Sequence, residues 1–373
     1  MRSLMKLYIA GGIWEHGRNC FALMENDELI LIDCGTGTGT HIYPLLNDAQ
    51  IKHAKYLFIT HCHTDHIGAY SWLKENGFNG TVICTSFTWK ELSANDEPHI
   101  LIDLPVETDR TINLTKDLTA AWGRSGHCAG SVWYFIQWHN KSILFTGDYC
   151  ETSFSYPCDP LRGIHADLAV VDCAYGNRPY EKISTGFAFI DLIKKLRKKH
   201  LYILLPVPLY GRGLELCSLL QYLMKKVPVY ASRELINEWA EENRSSFWTF
   251  QTMNIDKIHP LDTEEMKRGV IFIADAQLKN YESFSLLLKI MKNDGCILMT
   301  GYIDPDTPAD LIQKEKQVMT ILYPIHLNIF SSHLLYLQND FNQVVLFHCE
   351  EEIINPENEE WFCVPEPGST ILF

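Results

Sequence analysis

The stretch ITHCHTDHIG, residues 59–68, places three histidines and one aspartate within six positions, directly after the apolar run YLFIT. The four side chains are His61, His63, Asp65 and His66. Zinc binds neutral imidazole nitrogen and carboxylate oxygen, and two zinc ions about 3.5–4 Å apart can share and activate one water. His61 and His63 lie two residues apart, so an extended turn points them the same way, whereas Asp65 and His66 fall where the next helix would start. We therefore predict that one loop supplies ligands to two neighbouring metal ions.

Composition limits the class of protein. The chain has 373 residues, of which 46% are hydrophobic and 21% are charged, as in globular proteins of one or two domains. We expect a cytoplasmic protein without a membrane partner, because there is no long apolar run and the start MRSLMKLYIAGG is too short and strand-like for a secretory signal. The twelve cysteines form no CxxC pair, which indicates a reducing compartment. The net charge of −14 argues mildly against a protein that coats nucleic acid, but it allows a local basic groove.

The periodicity of the chain changes twice. Residues 1–176 contain short apolar runs that end at Gly, Asp, Thr or His, which is typical of strands that lead to a functional edge. The middle part, residues 177–322, alternates longer helical patterns with strands, as in a parallel α/β domain. Residues 323–373 return to a helix near 329–339 and a further strand. Since neither junction has a proline-rich or glycine-rich linker, we predict one domain, 1–176 and 323–373, with an inserted domain at 177–322.

Three further motifs extend the pattern of the histidine-rich loop. Asp33 lies in LIDCG, His127 in SGHCAGS and Asp148 in FTGDY, and each closes a predicted strand. In this order the motifs resemble those of the metallo-β-lactamase fold hydrolases. The resemblance implies an αββα sandwich in which Asp33 supports the metal loop through hydrogen bonds without binding metal. It also implies that His127 is a metal ligand and that Asp148 bridges both ions.

The middle domain resembles the β-CASP cap of nucleic-acid processing members, such as the 3′-end cleavage endonucleases and the ribonuclease J group. Asp172 in VVDCAYG matches their motif A acid, and PVPLYGRGLEL matches a cap motif with Arg212 and Glu215 in register. The stretch ILMTGYIDPDTPADLI resembles the exit from the cap. The expected fold class is therefore α/β, an αββα sandwich with an inserted parallel α/β domain, and the resemblance assigns Arg212 to a substrate phosphate.

Two more histidines complete the resemblance. His348 in VVLFHCEE ends an apolar strand and corresponds to motif C. Motif B has two candidates, His326 in PIHLN and His333 in FSSHLL. The family's separation between motifs B and C favours His326, since His333 would lie within the intervening helix. We choose His326, and His333 stays the alternative.

The resemblance implies a metal centre with two zinc ions, with manganese as the alternative metal. One ion would be bound by His61, His63 and His127, the other by Asp65, His66 and His348, and both by Asp148. A zinc-activated hydroxide would attack phosphorus, with Asp65 and Asp148 in the catalytic set. His326, paired with Asp172, would be the general acid at the leaving oxygen. A histidine at motif C accompanies RNA substrates in this group, so single-stranded RNA is the predicted partner.

Several alternatives stay open. A β-CASP DNA nuclease, a dinuclear zinc hydrolase of small esters, lactones or thioesters, and a non-catalytic scaffold are other interpretations. The sequence departs from the family at ADAQL (residues 274–278), where a Ser-Pro-Gly-Met-type turn is usual, at Asn328 and at Leu214. These departures concern the RNA-binding surface rather than the metal ligands. The cleavage mode, its polarity and the oligomeric state, a homo-oligomer included, also stay open.

Overall fold

The computed structural model describes residues 5–26, 28–37, 42–92, 97–103, 110–178, 182–261, 266–315, 318–349 and 360–373. Up to Asp172 the elements in chain order are β1 (Lys6–Gly11), β2 (Cys20–Glu25), β3 (Glu28–Ile32), α1 (Asp48–His53), β4 (Ala54–Phe58), α2 (Thr64–Ile67), α3 (Tyr70–Glu75), β5 (Thr81–Cys84), α4 (Ser86–Glu91), β6 (His99–Leu101), β7 (Thr111–Thr115), β8 (Leu118–Arg124), β9 (Val132–Trp138), β10 (Lys141–Phe145), β11 (His165–Ala166) and β12 (Leu168–Asp172).

The remaining elements are α5 (Lys182–Lys199), β13 (Tyr202–Val207), α6 (Arg212–Leu223), β14 (Val229–Ala231), α7 (Arg233–Arg244), a 3-10 turn (Ile255–Lys257), β15 (Ile258–Pro260), β16 (Gly269–Ala274), α8 (Tyr281–Lys292), β17 (Gly295–Met299), α9 (Pro308–Lys314), β18 (Val318–Thr320), α10 (Ile329–Leu337), β19 (Asp340–Phe341), β20 (Val344–Phe347) and β21 (Thr370–Leu372). No helix in the described ranges combines the length and hydropathy needed to traverse a lipid bilayer.

The chain forms two compact units. The first consists of Met1–Glu151, Cys158–Pro179 and His326–Phe373, and the second of Thr152–Pro157 and Tyr180–Ile325. The short segment Thr152–Pro157 joins the second unit because its polar groups bond to α6. Within that unit the Ser153 hydroxyl donates to Glu215 Oε2 at 2.9 Å, and the Phe154 N–H donates to Glu215 Oε1 at 2.8 Å.

Two sheets form the centre of the first unit. One has seven strands in the order β21-β1-β2-β3-β4-β5-β6, and the other has six in the order β20-β12-β10-β9-β8-β7. Their inner faces meet through aromatic side chains. Phe21 on β2 lies 6.0 Å from Phe145 on β10, measured between ring centroids, and Phe58 on β4 lies 5.2 Å from Tyr134 on β9. Burial of such large rings between two sheets stabilises the sandwich.

Helices cover the outer faces of both sheets. Ile51 of α1 and Leu73 of α3 are buried in one hydrophobic cluster with Leu57 of β4. Leu335 of α10 is buried in another cluster with Leu346 of β20. The order of layers is therefore helix, sheet, sheet, helix, and the predicted αββα sandwich is confirmed.

The second unit contains a sheet of six strands in the order β15-β14-β16-β13-β17-β18. Every neighbouring pair in it is parallel. Its strands are almost continuous apolar runs such as YILLPV, which suits a parallel sheet with both faces covered by helices. Leu287 and Ile290 of α8 pack with Ile271 and Ile297 of the sheet. The predicted parallel α/β architecture of the inserted region is confirmed.

Parallel pairing in the first unit determines where its functional side chains gather. β3 pairs in parallel with β4, and β12 pairs in parallel with both β10 and β20. The carboxyl ends of parallel neighbours lie at the same edge of a sheet. The residues that follow these strands therefore converge at one edge of the sandwich.

Candidate metal centre

The histidine-rich loop follows β4 and leads into α2. His63 occupies the N-cap position, so Asp65 and His66 lie within the first turn of that short helix. His61 and His66 are fully buried, whereas His63 and Asp65 are partly exposed. Backbone bonds hold the loop against the chain after β3, since Cys34 N–H donates to the His66 carbonyl at 2.8 Å.

Asp33 fixes the base of this loop. Its backbone has φ 57°, a left-handed conformation that is costly for a residue with a Cβ and is typical of functional sites. Asp33 Oδ1 accepts the Thr60 N–H at 2.8 Å, and Oδ2 accepts the Thr60 hydroxyl at 2.9 Å. Asp33 Oδ2 also lies 2.8 Å from Nδ1 of His66. The carboxylate therefore orients the His66 ring and leaves Nε2 to face the site.

Gly35 permits the close approach of these two segments. A Cβ at residue 35 would lie 1.6 Å from the Asp65 carbonyl oxygen, which is a backbone atom and cannot rotate away. We expect Gly35→Ala to displace the metal loop, to lower the free energy of unfolding by about 2–4 kcal/mol and to reduce bound metal. Denaturant unfolding and metal analysis would measure both. Gly186→Ala is the control, because Gly186 lies in α5 and a Cβ there would lie 3.5 Å from its nearest contact, the Leu219 side chain. Unchanged metal content in the Gly35 variant would contradict the prediction.

One group of four side chains surrounds a first cation-sized position. His63 Nδ1 lies 3.1 Å from both His61 Nε2 and His127 Nε2, and Asp148 Oδ2 lies 3.3 Å from each of the latter two atoms. A tetrahedral zinc with bonds of about 2.0–2.1 Å has ligand-to-ligand edges of about 3.3 Å. The donor type and the spacing therefore fit a divalent metal ion.

A second group of four shares Asp148 with the first. His66 Nε2 and His348 Nδ1 each lie 3.2 Å from Asp148 Oδ1, and His348 Nε2 lies 3.2 Å from Asp65 Oδ2. The ligand atoms in each group all lie within 4.8 Å of one another. Because Oδ2 of Asp148 faces the first group and Oδ1 the second, this buried carboxylate can bridge two ions.

His326 and Asp172 lie beside these groups. His326 Nδ1 is 3.4 Å from Asp172 Oδ2 and 3.6 Å from Asp148 Oδ2. The buried Asp172 carboxylate accepts three backbone N–H groups, from Tyr149 at 3.1 Å, Ala174 at 3.0 Å and Leu327 at 3.2 Å. Asp172 is therefore held rigidly beside the His326 ring.

The alternative histidine is not part of this arrangement. His333 lies in α10, as expected if the helix separates the two motifs, and its ring stacks on Trp361 at 4.8 Å between centroids. Asn328, where the sequence departs from the family, is the N-cap of that helix and accepts the Ser331 N–H at 3.0 Å. This departure therefore has a structural use, because asparagine is a favoured N-cap residue.

The three histidines of the first group favour the neutral form. Burial, together with the adjacent His61, lowers the pKa of His63 to about 3. Burial likewise lowers the pKa values of His61 and His127. Metal ions bind the neutral form of histidine, so these three rings are already in the form that binds.

The second group has a different electrostatic balance. Burial alone would lower the pKa of His348, but the carboxylates of Asp148 and Asp65 outweigh it and raise that pKa to about 10. At His66, too, burial alone would lower the pKa, but the carboxylates of Asp148, Asp33 and Asp65 outweigh this effect and raise the pKa well above its ordinary value. The carboxylates here favour positive charge, which a bound divalent cation would supply in place of the protons.

Three further residues near the site have no sequence signal that singles them out. Asn19 is buried, with Nδ2 at 2.9 Å from His66 Nε2 and 3.3 Å from Asp65 Oδ2. The ring of His16 stacks on His348 at 4.9 Å, and Tyr175 meets His326 edge-on at 5.2 Å. His348 itself has φ 68°, so its backbone is held in a strained conformation by these surroundings.

Arg212 lies in the second unit and is described within that unit alone. It is the first residue of α6, and its guanidinium packs so closely on Gly301 that a Cβ there would lie 1.6 Å from a guanidinium nitrogen. Among the described residues, no carboxylate forms an ion pair with Arg212. Glu215 in the same motif is bonded to Ser153, Phe154 and Tyr323, so its contacts are structural.

Comparison with known proteins agrees with this geometry. Residues 13–171 match the metallo-beta-lactamase superfamily. This part of the chain is a metallo-β-lactamase domain. The superfamily implies divalent metal binding, and the two groups of ligands at the edge of the domain have the composition and spacing that such binding requires.

Relatives extend beyond the metallo-β-lactamase domain. A probable RNase MJ4 of Methanocaldococcus jannaschii is 25% identical over 344 residues, 80% of this chain and 79% of the relative. Endoribonuclease ysh1 of Schizosaccharomyces pombe is 21% identical over 90% of this chain and 53% of its own length. Cleavage and polyadenylation specificity factor 73 of Drosophila melanogaster is 23% identical over 93% and 60%. The chain therefore spans just over half of the latter two, and the predicted resemblance to β-CASP RNA-processing nucleases is confirmed.

A solved structure resembles the whole chain. A protein of unknown function from Enterococcus faecalis V583 superposes with a TM-score of 0.63, at 13% identity, over 99% of this chain and 100% of that one. At this identity the likeness concerns the fold alone. It shows that the fold of this chain also occurs in another protein.

Proposed function

We propose that this protein is a metal-dependent phosphodiesterase of the β-CASP type that hydrolyses single-stranded RNA. The observation that carries the proposal is the position of Asp148, whose two oxygens face two groups of metal-ligand side chains with His326 beside them. Two relatives are named as ribonucleases, and they match most of the chain. A site with room for two ions suits phosphodiesters, because both the attacking and the leaving oxygen need stabilisation.

Two zinc ions are the proposed cofactors, with manganese as the alternative. One would be held by His61, His63 and His127 and the other by Asp65, His66 and His348, with Asp148 shared. Imidazole-rich sites favour zinc over magnesium or calcium, which prefer oxygen ligands. When bound, the ions activate a water and neutralise charge on the phosphate. Asp33 keeps the His66 ring in place through the hydrogen bond to its Nδ1.

His326 is the proposed general acid. Its Nδ1 lies 3.4 Å from Asp172 Oδ2, so we propose that this carboxylate orients the ring and that the opposite nitrogen, Nε2, delivers a proton to the leaving 3′ oxygen. Tyr175 packs edge-on against the ring and limits its rotation.

The second unit is the proposed β-CASP domain, in the place of the predicted insertion at 177–322. We assign Arg212 to a substrate phosphate, because its guanidinium forms no ion pair among the described residues and its Nε is buried without a hydrogen-bond partner among them. We also propose a cytoplasmic location, since all twelve cysteines are unpaired thiols.

Matched single-stranded RNA and DNA of one sequence test the proposed function. The purified, metal-loaded protein is expected to cut the RNA, with product lengths that report the cleavage mode, and to leave the DNA intact. Cleavage of DNA alone would support the DNA-nuclease alternative. Turnover of a nitrophenyl ester or a thioester with both polymers intact would overturn the proposal in favour of a small-ester hydrolase. Zinc and manganese analysis of protein purified without added metal would identify the cofactor.

A further inference from the structure

The second unit contains a large cavity that the metal centre does not explain. Its volume is about 1370 Å³, above the roughly 300–1,000 Å³ usual for small-molecule sites. Its described lining residues all belong to the second unit, between Pro228 and Leu286. They include Ser232 after β14, Leu261 after β15 and Ala274 at the end of β16, so the cavity reaches the carboxyl ends of these strands. It also extends along the strands to Pro228 and Lys267, which precede β14 and β16.

The topology of the sheet makes this position a binding crevice. The chain leaves β14 for β15 on one side and leaves β16 for β17 on the other, although β14 and β16 are neighbours. Connections that depart in opposite directions from adjacent parallel strands open a gap at their carboxyl ends, and ligands of open α/β sheets bind in such gaps.

Two helices begin at the cavity. The N-caps of the twelve-residue helices α7 and α8 are Ser232 and Asn280, and both line the cavity. Neither side chain makes the capping hydrogen bond that such residues usually make. The Ser232 hydroxyl oxygen is buried and has no hydrogen-bond partner in the described part of the chain. These N-termini therefore offer polar groups and positive dipole ends to an anion.

Cations and an unusually exposed aromatic ring border the same space. Arg233 and Lys267 line the cavity, and neither forms an ion pair with a described residue. Tyr281 is 86% exposed, although a tyrosine ring gains from burial. It also borders a smaller cavity of about 480 Å³ that is lined by Phe284 and Leu311, so the groove continues past this ring. Such an aromatic platform beside cations is typical of proteins that bind single-stranded nucleic acid.

We propose that this cavity binds a single-stranded ribonucleotide segment, with a base stacked on Tyr281 and a phosphodiester near Ser232 and Arg233. The inference rests on the proposed RNA substrate and adds a binding site outside the metal centre. Glu234 and Glu282 also line the cavity. Their carboxylates can accept ribose hydroxyls, and they oppose a doubly charged terminal phosphate more than a singly charged phosphodiester. The observations thus favour a segment within an RNA strand over a free mononucleotide.

Two substitutions test the site, each with a matched control. Tyr281→Ala removes the platform, and Arg233→Gln removes the cation at the start of α7. Tyr222→Ala is the control for the first, because Tyr222 is 63% exposed in the same unit and does not line the cavity. Arg244→Gln is the control for the second, because Arg244 ends the same helix. Circular dichroism of every variant verifies folding.

Binding and cleavage are measured separately. Fluorescence anisotropy with a labelled RNA of about 12 nucleotides, in protein that also carries Asp148→Asn, reports binding. Each test substitution is expected to weaken binding about tenfold, which corresponds to about 1.4 kcal/mol, while the controls bind like the parent. In the metal-loaded protein with Asp148 intact, Tyr281→Ala is expected to raise KM for this RNA about tenfold and to leave kcat and dinucleotide hydrolysis unchanged.

The outcomes separate the two proposals. Equal binding of the RNA by Tyr281→Ala, Arg233→Gln and the parent would overturn the site. Loss of binding in both variants without any RNA cleavage by the parent protein would support the site and reject the proposed nuclease function. A competition arm with adenosine monophosphate distinguishes the source of the ligand. Displacement by the mononucleotide at low concentration would overturn the assignment to an RNA strand.

Discussion

Replacing Asp148 with asparagine is expected to reduce RNA cleavage by at least about a thousandfold. Asp148 is the side chain that faces both groups of ligands, at 3.2–3.3 Å from histidine nitrogens on each side. The amide keeps the size of the side chain but loses the negative charge with which one carboxylate would bind two cations. Metal ions contribute several kcal/mol to transition-state stabilisation, and each 1.36 kcal/mol is a factor of ten in rate. Metal analysis is expected to show fewer ions per chain than in the parent protein, for which we propose two.

Asp340→Asn is the matched control for this experiment. Asp340 lies on β19 in the same unit, its side chain is 78% exposed, and it pairs only with His165 among the described residues. Cleavage and metal content of this variant are expected to equal those of the parent. If Asp148→Asn retained the parental rate and both ions, the bridging assignment would be wrong.

His326→Ala is expected to lower RNA cleavage by about 10²–10⁴-fold while both ions stay bound. This is the range that general acid catalysis usually contributes. The metal content should persist because His61, His63, His127 and His348 are unchanged. A model diester with a good leaving group, such as bis(4-nitrophenyl) phosphate, needs little protonation of its leaving oxygen. The variant is therefore expected to hydrolyse this diester at close to the parental rate, whereas a merely misfolded site would lose both reactions.

His333→Ala provides the control for His326. His333 stacks on Trp361 at the surface of α10, so its loss should leave the cleavage of both substrates unchanged. A large loss of RNA cleavage in the His333 variant, with normal cleavage in the His326 variant, would reverse the assignment of motif B. Loss of metal from His326→Ala would instead indicate that this ring is a ligand, since His326, Asp172, His348 and Asp148 also form a group of metal-ligand spacing.

The two groups of proposed metal ligands could be predicted from the sequence because each residue lies in a short motif that can be recognised on its own. Each of the seven proposed ligands comes shortly after a short apolar strand, and the carboxyl ends of parallel strands share an edge, so order along the chain implies proximity. The choice of His326 over His333 rests on the separation between motifs B and C that the family resemblance implies, with a helix between them, and it stays a prediction. In the structure that helix is Ile329–Leu337, close to the predicted 329–339.

Contacts made by irregular segments could not be predicted in this way. Asn19 and His16 reach the site because the loop between β1 and β2 folds back over it, and Asn19 N–H bonds to the Asp65 carbonyl at 2.9 Å. Residues 12–19 have no helical or strand periodicity from which this path could be predicted. The transfer of Thr152–Pro157 to the second unit likewise depends on Glu215, which is distant in sequence. Strands β15 and β18 have three residues each, which is too short for an alternating pattern of apolar and polar residues to be recognised.

The order of the ligands along the chain has a consequence for protein synthesis. His61 emerges early from the ribosome, and His348 follows roughly 15–60 s later at 5–20 residues per second. Until then the group around Asp65 and His66 lacks a member, however well the earlier strands have folded. If the protein degrades RNA as proposed, an incomplete chain is not expected to cleave the mRNA that encodes it. The enzyme would become active only after His348 has been synthesised.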